Sequence, residues 1–371
     1  MKRSNIKVNI SFSDIKNVYD KKVRVNTSNK EKISRFDNFY SINLFKVKRK
    51  FDNDRFIHGN YNIFLIKEPK YRIIMSQNIS DKLFNHVFSD KILLPILDKC
   101  LINTNVATRR NKGTLYGIKY LKKYLNNLKG GHVYALKFDI SKYFYNIDHE
   151  ILIKLLRDKF KDKKVISFLE GIINSTDCSY INKRIIEIKE TEINKIKEKN
   201  ISLKEKNKLI NEVSRIPLYK KGKGLPIGNM SSQILAVFYL NELDHFIKEK
   251  LHIKYYIRYM DDGILLSSSF EYLKYCLSEI IYIINKYKLE LNDKTKIIDV
   301  NKEGAYFLGF HFYIKENKIV MKVRNGVKRN FRRKMRLVRK GKISNKVISS
   351  YKGHFKHGNC FKLYKSEIYK F

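Results

Sequence analysis

Asp261 and Asp262 are adjacent, between the apolar runs YYIRYM and GILLSS, and Asp139 stands near the end of a third apolar run, HVYALKFDI. Two carboxylates side by side at a tight turn repel each other unless a cation lies between them. Two divalent cations about 3.5–4 Å apart, bridged by carboxylates, can activate a hydroxyl and neutralise a triphosphate in one step. Turns favour Asp for reasons of their own, so an Asp-Asp turn alone is weak evidence. Within Tyr-Met-Asp-Asp, flanked by two apolar strands, the signal becomes strong. Asp139 and Asp261 lie 122 positions apart, so only a fold that pairs their strands can bring them together.

Several elements would have to position these residues. Residues 61–75 read as two short strands around a Lys67-Glu68-Pro69-Lys70 turn, and a helix begins near Ser80 and is interrupted by Pro95. Leu115, Ile118, Leu121, Leu125 and Leu128 recur on one face of a helix over 114–128. The strand containing Phe138-Asp139 follows, and Asp148 is placed to cap a helix over 149–160. Residues 182–215 hold ten Lys/Arg and six Glu, with Ser202 and Glu205 in a capping-box pattern, and read as a solvated helical insertion. A Gly-rich loop at 222–228 leads into a long helix over 231–250. The segment around Asp261-Asp262 reads as strand, two-residue turn, strand. A helix over 272–288, a strand FLGFHFYI (307–314) and helices over 327–340 and from Ser344 complete the chain.

Charge points to a polyanionic partner. Lys+Arg number 78 against 36 Asp+Glu, a formal net charge of +42, and basic contacts to phosphate gain by counterion release. Part of the excess reflects an A/T-rich codon bias, because Lys, Asn and Ile rise together. Residues 322–371 alone carry seventeen Lys/Arg and one acid, a net of +16. The four cysteines are isolated, which excludes a disulfide framework and a structural zinc site and suits a reduced cytoplasm. His354 and His357 lack partner ligands for zinc, which leaves phosphate contact or packing. Neither a signal peptide nor a membrane span is expected.

In order along the chain, FDISKYFYNIDH (138–149), GLPIGNMSSQ (224–233), YMDD (259–262), LNDKTKI (291–297) and FLGF (307–310) resemble motifs A to E of reverse transcriptases. The resemblance covers roughly 60–371. It implies an α+β right-hand polymerase with fingers, an antiparallel-sheet palm and a basic helical thumb. The division expected is a basic N-terminal extension at 1–58, fingers and palm at 59–314 with the insertion at 182–215, and the thumb at 315–371.

Roles follow from the same resemblance. Asp139 and Asp261 would ligate two Mg²⁺ ions (or Mn²⁺), with the Ile140 carbonyl on one ion and Asp262 supporting the pair. Phe144, five residues after Asp139, falls at the steric gate that excludes a 2′-hydroxyl. Lys70 and Arg72 would contact the triphosphate, with Lys67 a competitor. Ile227 and Gln233 belong to the nucleotide pocket, and Lys294 or Lys296 would approach the leaving pyrophosphate. Phe307, Leu308 and Gly309 would form the primer grip. The implied partners are an RNA template, a nucleic-acid primer and dNTPs, with a small accessory protein or a cognate structured RNA as a further partner.

Pro226-Ile227-Gly228 replaces the PQG of retroviral and group II intron enzymes. With Ser232-Gln233 it gives IGxxxSQ, similar to diversity-generating retroelement reverse transcriptases, whose copying errs at template adenines. Solitary antiviral-defence or retron-like enzymes are the alternative, although NELDH (241–245) departs from the retron NAxxH, and the insertion is long for the retroelement type. A catalytically inactive RNA-binding scaffold would need none of the aspartates. An RNA-dependent RNA polymerase would carry YGDD and no aromatic gate.

Overall fold

The computed structural model describes residues 8–68, 70–358 and 360–369, so Met1–Lys7 of the extension, Pro69 of the first turn and Asn359 of SYKGHFKHGN lie outside the described residues. The chain is α+β, the class expected, with three antiparallel sheets among the described residues. It divides into two compact units that each draw on several stretches of chain. The first uses the chain up to Ile102, Ile140–Glu242 and Ile284–Glu290; the second uses Asn103–Asp139, Leu243–Ile283 and Leu291–Phe371.

In the first unit, helices Phe12–Val18, Lys30–Asp37 and Tyr40–Asp52 bury Ile15, Ile33, Leu44, Val47 and Phe51. Two of the extension's scattered aromatics are core anchors: Phe51 and Phe56 both stack on Phe84, at 4.2 and 4.0 Å between centroids. Strands β1 (Asn62–Ile66) and β2 (Arg72–Ser76) form a hairpin. Asn78 caps helix Ile79–Phe88. Pro95 breaks no helix. The helical path runs on through a π-helical turn, Ser89–Leu93, into Leu94–Cys100, and the wider turn directly before Pro95 accommodates its missing N–H.

The insertion folds as helices Ser179–Lys197 and Leu203–Ser214, the second capped by Ser202. One side is not solvated. Ile181, Ile185, Ile196 and Val213 pack with Ile63, Ile73 and Met75 of the hairpin in one apolar cluster. Polar contacts reinforce it: Tyr61 N–H donates to the Tyr180 hydroxyl at 2.9 Å, and Lys67 Nζ to Glu192 at 2.7 Å. The helix expected over 231–250 comes in pieces, Met230–Tyr239, Asn241–His245 and a π-helical Phe246–Lys250.

In the second unit, helix Thr114–Leu128 buries Ile118, Leu121, Tyr124 and Leu125, whereas Leu115 is exposed. Strands β3 (Tyr134–Phe138), β4 (Tyr255–Tyr259), β5 (Asp262–Ser267) and β6 (Lys296–Asp299) form an antiparallel sheet in the order β4-β5-β3-β6. A second sheet holds β7 (Ala305–Phe307), β8 (Phe310–Lys315) and β9 (Lys318–Val323). FLGFHFYI is therefore a hairpin and not one strand. Leu308 and Gly309 both have positive φ, 49° and 84°, the pattern of a two-residue turn whose twist matches the flanking strands.

Helices Asn325–Arg339, Lys346–His357 and Phe361–Ile368 end the unit; the last was not anticipated. Phe331, Met335, Phe355 and Tyr364 share a core with Phe307, Phe310, Phe312 and Met321. Among the described residues no helix is long and apolar enough to cross a membrane.

Candidate active site

All three aspartates belong to the second unit, and the register of its sheet joins them. The last β3–β5 pair is Phe138↔Gly263, so one step further sets Asp139 opposite Asp262. Gly263 makes the approach feasible, since a Cβ there would lie 2.2 Å from the Phe138 ring. The turn sits one residue earlier than expected: Tyr259 pairs with Asp262, so Met260 and Asp261 form the turn and Asp262 opens β5. Met260 has φ 58°, a left-handed conformation that costs a non-glycine residue about 1–3 kcal/mol and persists only where its surroundings impose it.

Arg258 does the imposing. Its fully buried guanidinium donates from Nη1 to the Met260 carbonyl at 2.6 Å. Nε and Nη2 hold Asp244 Oδ1 and Oδ2, both at 2.7 Å. The Tyr256 hydroxyl and Asn105 Nδ2 also donate to Asp244, at 2.8 and 3.0 Å. Reading the sequence for chemistry missed both Arg258 and Asp244. The signals were present: an arginine inside the apolar run YYIRYM and an aspartate inside NELDHFI, each of which demands a buried partner.

Asp262 shows what its surroundings lack. Burial pushes its carboxyl up to about 7; the charges of Asp139 and Asp261 add to the rise, and Lys137 opposes it. The side chain keeps 27% exposure, yet Oδ1 is sealed from solvent and has no hydrogen-bond partner. The nearest cation is the Lys137 ammonium, 3.4 Å from that oxygen. Lys137 is a further site residue that the sequence reading passed over. Among the described residues, no three His, Cys, Asp or Glu side chains converge closely enough to hold a metal ion by themselves. A carboxylate with one oxygen sealed from solvent, beside two others, is nonetheless a donor set suited to a hard divalent cation, which takes oxygen ligands.

The motif D segment is tied to the same strand end, because Asn292 N–H donates to the Asp139 carbonyl at 2.7 Å. Lys294 is exposed, while Lys296 lies 3.3 Å from Glu303. Of the residues expected to form a primer grip, Phe307 is buried and Leu308-Gly309 form the turn. His354 packs on Phe310 at 4.2 Å between rings, so packing accounts for it.

The remaining site residues belong to the first unit. Ile140 is buried, and Phe144 is half-buried on a short helix, Tyr143–Asn146, that follows Lys142 at φ 47°. The motif B loop is laced to it: Leu225 N–H donates to the Phe144 carbonyl at 2.7 Å and Gly224 N–H to that of Ile147 at 2.8 Å. Ile227 extends the contact to the hairpin, accepting from Met75 N–H at 2.9 Å, and its side chain packs against the apolar cluster under β1 and β2. Lys70, Arg72 and Gln233 are exposed.

Residues 65–312 match the family described as reverse transcriptase (RNA-dependent DNA polymerase). No curated protein matches the chain. Among solved structures, it is similar to telomerase from Candida albicans in complex with the TWJ fragment of telomeric RNA, at 15% identity over 74% of this chain and 46% of that one, with a TM-score of 0.44. It is also similar to apo telomerase from Candida tropicalis, at 15% identity over 72% of this chain and 49% of that one, TM-score 0.46. The chain thus spans about half the length of these telomerases.

Proposed function

The chain belongs to the reverse transcriptase family, the RNA-directed DNA polymerases, and on that premise we propose that it copies an RNA template into cDNA with Asp139, Asp261 and Asp262 as its catalytic carboxylates. The family works with divalent metal ions. Here Asp139 and Asp261 would hold two Mg²⁺, with the Ile140 carbonyl on one and Asp262 completing the charge. Bound there, the ions would activate the primer 3′-hydroxyl and neutralise the triphosphate.

The chain's own side chains do the rest. Arg72 takes phosphate oxygens in a bidentate grip, and Lys70 adds a point charge. Lys67 is the weaker candidate because Glu192 engages it. Phe144 closes the sugar pocket against a 2′-hydroxyl, with Ile227 and Gln233 in the same pocket. Lys294 hands a proton to the departing pyrophosphate, a role for which Lys296 is less suited while Glu303 holds it. The Phe307-Leu308-Gly309 turn holds the primer end. In this reading 59–314 supplies fingers and palm and 315–371 the thumb.

The observation that carries the reading is the sealed Asp262 oxygen beside Asp139 and Asp261, at the register end of β3 and β5. Changing Asp261→Asn together with Asp262→Asn is expected to abolish primer extension on RNA with Mg²⁺ while RNA binding survives. Normal extension by that variant would remove the assignment.

Within the family, IGxxxSQ supports the diversity-generating retroelement type, acting in the cytoplasm with a structured RNA or a small accessory protein. A solitary antiviral-defence or retron-like role is the second reading. It is favoured by the helical insertion packed against the β1–β2 hairpin, an addition the retroelement type does not call for.

A further inference from the structure

The β7–β8–β9 sheet is two-faced. Strand alternation sends Phe307, Phe310, Phe312, Met321 and Val323 into the core of the second unit. The other face carries Tyr306, His311, Tyr313 and Lys322, with Arg324 just beyond the end of β9. Tyr306 and His311 are register partners, and so are His311 and Lys322. The rings form a continuous row: Tyr306 and His311 stack at 4.2 Å with 13° between planes, and His311 and Tyr313 follow at 5.4 Å. Cations cover both ends, with the Arg324 guanidinium 5.2 Å from the Tyr306 ring centre and the Lys322 ammonium 5.2 Å from that of Tyr313.

This row lines a cleft of about 400 Å³ whose rim adds Asn301, Lys302 and Lys328. The rim's one acid, Glu303, is paired with Lys296. Core packing does not explain the row, because the apolar face of the sheet is already filled and Tyr306 is 41% exposed. A row of aromatic rings with a cation at each end, on an open sheet, is what unpaired bases and their phosphates recognise. Bases stack on the rings, and Lys and Arg track the backbone. A duplex, with its bases already stacked on each other, would gain nothing from the rings.

We propose that this face binds a single-stranded stretch of nucleic acid outside the polymerase site, with Tyr306 and Tyr313 taking bases on the outer ring faces that Arg324 and Lys322 cover, those two cations moving to phosphates, and His311 holding the two rings in line. For an enzyme that copies RNA, the strand is RNA beyond the copied duplex. The inference rests on the proposed function only for that choice of strand, since the binding does not depend on Asp139, Asp261 or Asp262.

Fluorescence polarisation of a short unstructured RNA on the full chain, its polymerase site first saturated with an unlabelled template–primer duplex, tests it. Tyr306→Ala with Tyr313→Ala should weaken the RNA at least about tenfold, given what each base–ring stack contributes. Tyr306→Phe with Tyr313→Phe, which keeps the rings, should bind as the unaltered chain does. Lys322→Gln with Arg324→Gln should lower the slope of log K against log salt by about 1.4, for two single-strand phosphates. Extension of the short duplex should be unchanged in both tyrosine variants, which separates a failure here from a failure of the polymerase reading. An unchanged RNA affinity in the alanine variant overturns the proposal, and so does an abasic oligonucleotide that binds as tightly as the RNA. A DNA strand of the same sequence that binds far more tightly would reassign the face to the displaced or product strand and overturn the choice of RNA.

Discussion

Replacing Arg258 with methionine removes three charge-assisted donors at once. Asp244 then stays buried with only the Tyr256 hydroxyl and the Asn105 amide for partners. An uncompensated buried charge of this kind costs about 3–5 kcal/mol, a large share of the stability of any domain. The second loss is local. The Met260 carbonyl gives up its 2.6 Å donor, while Met260 still needs the left-handed conformation that aims Asp261. A pair of variants separates the two effects. Arg258→Met with Asp244→Asn removes both buried charges, and replacing a buried ion pair by neutral groups is often nearly neutral for stability. The double variant should therefore recover most of the lost stability in denaturant unfolding. Its kcat for primer extension should nevertheless stay about 100-fold down, because a misplacement near 1 Å costs that much, and its KM for dNTP should change little. A double variant with recovered stability and unaltered kcat would show that Arg258 supports the fold and not the turn. An Arg258→Met chain as stable as the original would refute the buried-charge cost itself.

Three further outcomes are expected of the site. Phe144→Ala should let GTP compete with dGTP in steady-state incorporation, and an unchanged preference would move the gate elsewhere. Changing the exposed Arg329, Arg333 and Arg336 of helix Asn325–Arg339 to glutamine should cut the salt slope of template–primer binding by up to about 2–3, near 0.9 for each phosphate no longer neutralised. The unaltered slope would make the helix a solvated surface only. Ile227→Gln should raise fidelity, most visibly at template adenines, because an amide can discriminate by hydrogen bonding where an aliphatic group offers shape alone. Equal error rates in sequenced cDNA would leave Ile227 as packing for the cluster beneath the hairpin.

How far such residues can be read from sequence depends on the range of the interaction that fixes them. The aspartates announced themselves because like charges in adjacent positions, set between apolar strands, are a local anomaly with a local remedy. Asp148 and Ser202 were legible as caps for the same reason: a cap acts within three residues. Turns were harder. The positive φ that defines a turn was carried by Met260 in one hairpin and by Leu308 beside Gly309 in another, and neither Met nor Leu advertises that conformation. The first turn was therefore placed one residue late, and the second was read as unbroken strand. Pro95 misleads in the opposite direction, since a proline reads as a break although the helical path continues past it through a π-helical turn. Charge density concealed the packing of the insertion, whose apolar residues, Ile181, Ile185 and Ile196, face the β1–β2 hairpin more than a hundred positions earlier in the chain. Arg258 is the sharpest case. Its value to Met260 is local, two residues away, but its cost can be met only by Asp244, fourteen positions earlier on a helix. A charged residue in an apolar strand thus says that a partner exists and does not say which. The fold supplies the partner and, with it, the rigidity that an isolated Tyr-Met-Asp-Asp turn would lack.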